Sequence, residues 1–133
     1  YDLFHALYDS LKPNGILIVT DGSADSLAMK IYDDISYYLT MPVHLNVFST
    51  KSISFLAERV GFKNISIRTY NYRLSQAKSM ALLMKKKIGR NIGKGYSDLK
   101  KNEILLGKLF SFPSYIFSHW YGKGDCILAQ FQK

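Results

Sequence analysis

The sequence has little cysteine, little histidine and little proline. Its 133 residues include one cysteine, Cys126, with three histidines and three prolines. A single cysteine excludes an internal disulfide framework and is typical of a protein in a reducing compartment, so we expect the cytoplasm rather than secretion. Metal sites need several ligands, and His5, His44 and His119 lie far apart in the sequence, so we predict no metal.

The signature motifs of most enzyme classes are also absent. The sequence contains no glycine-rich dinucleotide or phosphate loop, no HExxH or CxxC motif and no GxSxG motif. The chain opens at Tyr1 without the basic segment and short apolar core of a signal peptide. We interpret it as a piece of a longer protein.

Acidic residues are scarce in one segment of the chain. Ten of the 18 Lys and Arg residues lie between Arg73 and Lys108, where the acidic residues are Asp98 and Glu103. That segment therefore holds the whole net charge of +8, and the rest of the chain is formally neutral. A basic excess favours anionic partners such as phosphates, nucleic acid or an acidic membrane face, and charge alone does not choose among them.

Apolar residues are plentiful, and their spacing alternates between helix and strand. Helical spacing covers residues 2–11, 24–39 and 53–60, and strand-type runs cover residues 16–21, 62–70 and 126–131. In the second helix the predicted apolar face is Leu27, Ala28, Ile31, Ile35 and Leu39. The alternation predicts an α/β fold.

The strands and the third helix have more specific signals. The uninterrupted run Ile16 to Val19 predicts a strand covered on both faces, whereas the alternation that places Ile65 with Ile67 predicts a strand with unlike faces. Ser49 or Thr50 is a suitable N-cap for the third helix, and Gly61 suits its C-terminal end.

The basic segment has a helical pattern of its own. Its first helix is predicted to present Ala77, Met80, Ala81, Met84 and Ile88 on one face. A more apolar stretch follows from Ile104 towards Tyr121, with a break at Pro113. We therefore divide the chain into a partial α/β domain, residues 1–72 and 122–133, and a basic and aromatic helical insertion, residues 73–121.

Several segments carry a resemblance through their order and spacing. They are the LKPNG turn at 11–15, the strand Ile16 to Asp21, the run Pro42 to Ser49 before the helix Ile53 to Val60, Gly61-Phe62, and Gly122-Lys123-Gly124-Asp125 before the last strand. This set spans nearly the whole chain and resembles the C-terminal half of Rossmann-like S-adenosylmethionine-dependent methyltransferases. The subgroup it resembles modifies small molecules, sugars or cell-surface precursors.

The resemblance implies a fold. The strands at about 16–21, 62–70 and 126–132 would be the fifth, sixth and seventh of the family's sheet, and the seventh would run antiparallel between the other two. The family's glycine-rich loop and ribose-binding acid have no counterpart here. The resemblance therefore implies that the complete protein uses S-adenosylmethionine, and that this chain alone has no cofactor-binding residue and binds the cofactor weakly or not at all.

The resemblance also implies an acceptor side, formed by the loops that follow the fifth strand. Asp21 and His44 are the candidate catalytic residues, Asp21 to steer or deprotonate an acceptor and His44 as a general base. The favoured alternatives are that Asp21 or Ser23 caps the next helix, and that His44 orders its loop. The further candidates for facing the substrate are Ser23, Tyr37, Tyr38, Asn46 and Phe48. For Phe48 the favoured alternative is a hydrophobic staple on the following helix.

The remaining surfaces have three candidate partners: a membrane, a second copy of the chain and nucleic acid. The stretch 109–121 lacks Lys, Arg, Asp and Glu but is too short to span a bilayer, so the insertion is predicted either to lie on a membrane or to pack over the sheet or a second copy. The apolar edge of the strand at 16–20 predicts self-association. The alternative function is a non-catalytic basic module for an anionic membrane or nucleic acid, although no nucleic-acid recognition motif accompanies the basic residues.

Overall fold

The computed structural model describes residues 2–39, 46–89 and 95–133. The helices there are α1 (Asp2–Ser10), α2 (Leu27–Tyr32), α3 (Thr50–Val60), α4 (Arg73–Lys87), α5 (Lys101–Phe110) and α6 (Phe112–Trp120). The strands are β1 (Ile16–Gly22), β2 (Lys63–Tyr70) and β3 (Cys126–Gln132), and short 3-10 turns cover Asp33–Ile35, Tyr37–Leu39 and Gly95–Asp98.

The three strands form one sheet in the order β1-β3-β2, and β3 is antiparallel to both neighbours. The predicted fold class is therefore confirmed, including the central position of the last strand. Since β1 and β2 both run opposite to β3, they point the same way. Their carboxyl ends meet the start of β3, where Gly22 and Tyr70 both pair with Cys126.

One face of the sheet is covered by α1 and α3. Ile53 and Ala57 of α3 are fully buried against Ile127 and Phe131 of β3 in one apolar cluster. Burying a side chain such as Ile53 contributes about 2 kcal/mol. The predicted ends of α3 are confirmed: Ser49 accepts a hydrogen bond from the Ser52 amide at 2.9 Å, and Gly61 adopts a φ of 110°.

The opposite face is open along β1. Ile16 and Ile18 are 56% and 57% exposed, so the prediction that this strand is covered on both faces is wrong within the described residues. Ile65 also departs from the prediction, because the register of β2 shifts between Asn64 and Ser66 and leaves Ile65 half exposed. An extra residue in a strand moves its neighbours to the other face.

The helix predicted over 24–39 is shorter than expected. It ends at Tyr32, because Asp33 has a φ of 44° and two 3-10 turns follow. The changed path buries Tyr32 and Tyr38 and leaves Ile31 and Leu39 about 40% exposed, so the predicted apolar face is wrong at these two positions. A left-handed residue redirects the chain in a way that apolar spacing does not record.

The helical segment, residues 73–121, packs α4 against α5, and Pro113 begins α6 as predicted. Ala77 and Ala81 of the predicted α4 face are buried, but Ile88 is 64% exposed. The buried residues of α4 also include Ser75, Gln76 and Ser79. Within the described residues, none of the helices combines the length and apolarity that crossing a membrane requires.

Candidate functional site

The candidate site lies where β1 and β2 end and β3 begins. In open α/β sheets ligands collect beyond the carboxyl ends of parallel strands. Here Asp21 and Gly22 of β1 pair with Ile127 and Cys126 of β3, and Tyr70 of β2 pairs with Cys126 from the other side. Residues from all three strands therefore meet at one edge of the sheet.

Asp125 is the most buried charged residue at this edge, with 1% of its surface exposed. Its carboxylate accepts hydrogen bonds from the Tyr72 amide at 2.6 Å and from the Ser75 hydroxyl, both at the start of α4. Its carbonyl accepts from the Ser23 amide at 2.9 Å. Burial raises the pKa of Asp125, and the bonds from Ser75 and Tyr72 oppose that rise.

Asp125 therefore ties the start of α4 to the ends of β1 and β3. Its side chain acts as a cap supplied from a distant part of the chain, since the free amides at a helix N-terminus favour a carboxylate. Asp125 was not among the residues predicted for the site. The available signal was its place in Gly122-Lys123-Gly124-Asp125, immediately before an apolar strand.

Tyr38 and Cys126 form a buried pair beside Asp125. The Tyr38 hydroxyl lies 2.7 Å from the Cys126 sulfur, and burial raises the pKa of both groups. Both therefore stay neutral at neutral pH, and a neutral buried thiol is a poor nucleophile. The Tyr38 ring also covers Gly22, where an added Cβ would lie 2.7 Å from the ring, so the close approach requires glycine.

Asp21 does not cap the helix that follows it. Its Oδ1 accepts from the Gly22 amide at 2.7 Å, whereas α2 is capped by Ser26, whose hydroxyl accepts from the Met29 amide at 3.1 Å. The favoured alternative for Asp21 and Ser23 is therefore wrong, because α2 begins several residues later than predicted. The Asp21 carboxylate stands half-buried at the end of β1.

Ser23 is fully buried and is held by its backbone. It forms a parallel bridge with Phe48, and the Ala24 amide donates to the Phe48 carbonyl at 2.9 Å. Among the described residues the Ser23 hydroxyl has no hydrogen-bond partner. A buried hydroxyl in this condition is costly, which makes Ser23 the polar group here with unused bonding capacity.

The other predicted site residues divide between two places. The Phe48 side chain packs against the apolar cluster under the sheet, in agreement with the staple alternative, and Asn46 is exposed. Tyr37 turns towards α4, where its amide donates to the Ser79 hydroxyl at 3.0 Å and Lys78 Nζ lies 5.1 Å from its ring centre. His44 lies outside the described residues.

The structure thus brings Asp21, Ser23 and Tyr38 together with Cys126 and Asp125. This set offers a half-buried carboxylate at Asp21, a buried carboxylate at Asp125, two neutral donor groups that pair with each other, and a buried hydroxyl. The described residues contain no group of three or more His, Cys, Asp or Glu side chains placed to hold a metal ion. Asp21 is the partly exposed member of the set, and a carboxylate in such a place can accept a proton from a molecule bound beside it.

Comparisons with known proteins gave matches among solved structures alone. No family model matches the chain, and no curated protein matches it. The phosphoethanolamine N-methyltransferase 2 of Haemonchus contortus, in complex with S-adenosyl-L-methionine, is 18% identical with a TM-score of 0.45. A second structure of that protein, with phosphomonomethylethanolamine and S-adenosylhomocysteine, is 17% identical with a TM-score of 0.40. The cyclopropane synthase MmaA2 of Mycobacterium tuberculosis is 14% identical with a TM-score of 0.43.

The order and directions of the strands identify the fold. The sheet β1-β3-β2, with β3 antiparallel between its neighbours, is the arrangement predicted from the resemblance to the C-terminal part of a Rossmann-like sheet. Each match covers 98% of this chain, but the chain spans 29%, 48% and 28% of the respective solved chains. The activity, substrates and partners of a whole protein are therefore proposals for this one.

Proposed function

We propose that this chain is the C-terminal portion of an S-adenosylmethionine-dependent methyltransferase, and that it supplies the surface that holds the methyl acceptor. The observation that carries the proposal is β3, which runs antiparallel between β1 and β2 as the resemblance requires. The polar cluster of Asp21, Ser23 and Tyr38 at the strand ends supports an acceptor-side role. The acceptor is a small molecule, a sugar or a lipid-linked group, and the protein works in the cytoplasm.

The residues of this chain do not fit the cofactor. A site for S-adenosylmethionine needs backbone close to its sugar and an acid for its hydroxyls, and this sequence has neither the glycine-rich loop nor that acid. What the chain supplies is positioning of the acceptor, which by itself accounts for a large part of the rate of a group transfer. Asp21 accepts a proton from the acceptor, and the buried Ser23 and Tyr38 support the end of β1 that carries Asp21. His44 stays a predicted second base.

Calorimetric titration with S-adenosylmethionine tests the assignment. The experiment compares this chain with the longer open reading frame upstream of Tyr1, expressed as one protein. We expect micromolar binding by the longer protein and none by this chain. Micromolar binding by this chain would contradict the placement of the cofactor site, and absence of binding by the longer protein would contradict methyl transfer altogether.

The role of Asp21 has its own test in the longer protein. We expect Asp21→Asn to lower kcat about 100-fold, because general-base catalysis contributes on that order. Binding of S-adenosylmethionine should be unchanged. Asp9→Asn, an exposed carboxylate on α1, is the matched control. An unchanged kcat in Asp21→Asn would exclude Asp21 as the base.

A second candidate function is a non-catalytic basic module that binds an anionic membrane or nucleic acid. The net charge of +8 in residues 73–108 favours it. This function requires binding of anionic vesicles or oligonucleotides that weakens with salt, together with no methyl transfer by the longer protein. The two functions are therefore separated by the same protein in two assays.

A further inference from the structure

In the part of the helical segment that holds α5 and α6, serines are buried and large apolar side chains are exposed. Ser111 and Ser118 are 1% exposed, whereas Leu109 and Trp120 are 67% and 76% exposed. In a helix that packs by apolar burial alone the opposite distribution is expected. Exposed apolar groups in such number mark an interaction surface.

The orientation of α6 is fixed by hydrogen bonds on its buried side. The Ser118 hydroxyl donates to Asn71 Oδ1 at 2.9 Å, and the Ser114 hydroxyl donates to Gln76 Oε1 at 3.2 Å. Gln76 Nε2 donates to the same Asn71 oxygen at 3.2 Å. Since this network holds the serines inward, Phe117 and Trp120 of α6 are turned outward.

The orientation of α5 is fixed by a close helix crossing. Gly107 is buried against α4, where an added Cβ would collide with the Ala77 carbonyl oxygen and contact Ala81. A glycine at the crossing lets the two helix backbones approach closely. With Gly107 against α4, Leu105 and Leu109 of α5 are each left 67% exposed.

These side chains form what we call the α5–α6 surface: Leu105, Leu106, Leu109, Phe112, Phe117 and Trp120. Arg73 and Lys108 lie beside the leucines in one open groove with Phe112, and the Arg73 guanidinium lies 6.0 Å from the Phe112 ring centre. Of the acidic residues in the segment, Glu103 is held by the Lys100 amide at 2.8 Å and by Lys85 at 3.4 Å. Cations thus border the apolar residues.

We propose that the α5–α6 surface docks the protein onto a lipid membrane with anionic headgroups. Aromatic and leucine side chains sit at the headgroup boundary when an amphipathic helix lies in the membrane plane, and lysines on its rim attract anionic lipid. A second copy of the chain fits this surface less well, because each copy carries the same net positive charge there and like charges repel across an interface. The inference does not depend on methyl transfer.

Vesicle flotation and the fluorescence of the single tryptophan test the proposal. We expect the chain to float with phosphatidylcholine vesicles that contain phosphatidylglycerol and not with phosphatidylcholine alone. Trp120 emission should shift to the blue on binding, since its exposed ring enters the membrane. Circular dichroism checks that each protein is folded. Absence of flotation by the folded chain, or equal flotation with both vesicles, overturns the proposal.

Matched variants distinguish vesicle binding through the α5–α6 surface from nonspecific adsorption of the protein to vesicles. Leu109→Gln should lower the partition coefficient about tenfold, because it removes a large buried apolar contact with the membrane. Lys108→Gln should lower it about fivefold. The controls are Phe55→Gln and Lys51→Gln on α3, where Phe55 is 60% exposed, and both should bind as the unchanged chain does.

Other occupants give different results. Sedimentation that shows a dimer lost in Leu109→Gln, with no flotation, would assign the surface to a second copy and overturn the proposal. Binding of an oligonucleotide that is lost in Lys108→Gln and unchanged in Leu109→Gln, again with no flotation, would assign it to nucleic acid. Equal loss of flotation in Leu109→Gln and Phe55→Gln would also overturn the proposal.

Discussion

The α/β part of the chain and the helical segment 73–121 pack their helices in different ways. In the α/β part, α3 buries Ile53 and Ala57 against the sheet. In the helical segment, α4 buries serines and a glutamine together with two alanines and Leu82, and α6 buries Ser118 while Phe117 and Trp120 stay exposed. The comparison teaches that hydrogen bonds can fix the orientation of a helix while its apolar side chains stay available for a partner.

The largest expected effect is a loss of stability, and it tests directly whether the two regions differ in apolar burial. Phe131 is fully buried in the apolar cluster, so Phe131→Ala should lower the free energy of unfolding by about 4 kcal/mol. Trp120 is also a large aromatic side chain, but it is 76% exposed. Trp120→Ala should therefore change the free energy of unfolding by less than about 0.5 kcal/mol. Urea unfolding measures both. Similar losses in the two variants would mean that Trp120 is packed in an apolar core and not exposed.

The next largest loss of stability is expected at Asp125, which connects the two regions through hydrogen bonds. Asp125→Ala leaves the Tyr72 amide and the Ser75 hydroxyl without their acceptor, so we expect a loss of about 3 kcal/mol in the free energy of unfolding. Asp125→Asn keeps an acceptor at this place and is the matched control. A smaller loss of stability in Asp125→Ala than in Asp125→Asn would show that α4 does not depend on this cap.

The raised pKa of Asp125 gives the same site a pH dependence with a definite sign. The folded carboxyl binds its proton more tightly than the unfolded one, so its contribution to stability is fully present below the ordinary pKa and is lost as pH rises through the folded value. Between the ordinary pKa and the folded pKa of Asp125, the unchanged chain should gain stability relative to Asp125→Asn as the pH falls. Urea unfolding across acidic pH measures the difference, and a gain in the opposite direction would mean a lowered pKa.

Much of the α/β part follows from local sequence signals. Each strand is a short apolar run, and Ser49 and Gly61 mark the ends of α3. The central position of β3 was implied by the family resemblance and not by a local signal. The open face of β1 did not follow, because the apolar run at Ile16 predicts burial and says nothing of what covers it. The bulge at Ile65 and the left-handed Asp33 are likewise set by tertiary packing.

The candidate site and the helical segment were harder to predict for a different reason. Asp21 and Tyr38 could be named because they follow or lie near a predicted strand. Asp125 and Ser75 are 50 residues apart in the chain, and their bond exists only after α4 docks on the sheet. The burial of Ser118 depends in the same way on Asn71, 47 residues away. Apolar periodicity carries no information on such pairs.

The crossing of α4 and α5 should give a smaller effect. Gly107→Ala adds a methyl group at the closest approach of the two helices, and overpacking of this kind costs about 2 kcal/mol in the free energy of unfolding. The exposed Asn102→Ala in the same helix should cost nothing, since alanine favours helix. Thermal unfolding of the two variants measures the difference. An equally stable Gly107→Ala would mean that α5 is not pressed against α4.

The smallest expected change in stability concerns β1, and it sharpens the contrast between the two regions. β1 lies at the edge in the sheet order of the described strands, and Ile16 and Ile18 are exposed in the part of the chain without net charge. An apolar edge strand invites pairing with another copy, so we expect a concentration-dependent dimer through β1.

Ile18→Lys should abolish the dimer in sedimentation and change the stability of the monomer by less than about 0.5 kcal/mol, because its site is solvent-exposed. Leu105→Lys, at a similarly exposed leucine of the charged helical segment, is the matched control and should leave the dimer intact. A chain that stays monomeric at high concentration would contradict pairing through β1, and a dimer lost only in Leu105→Lys would move the interface to the helical segment.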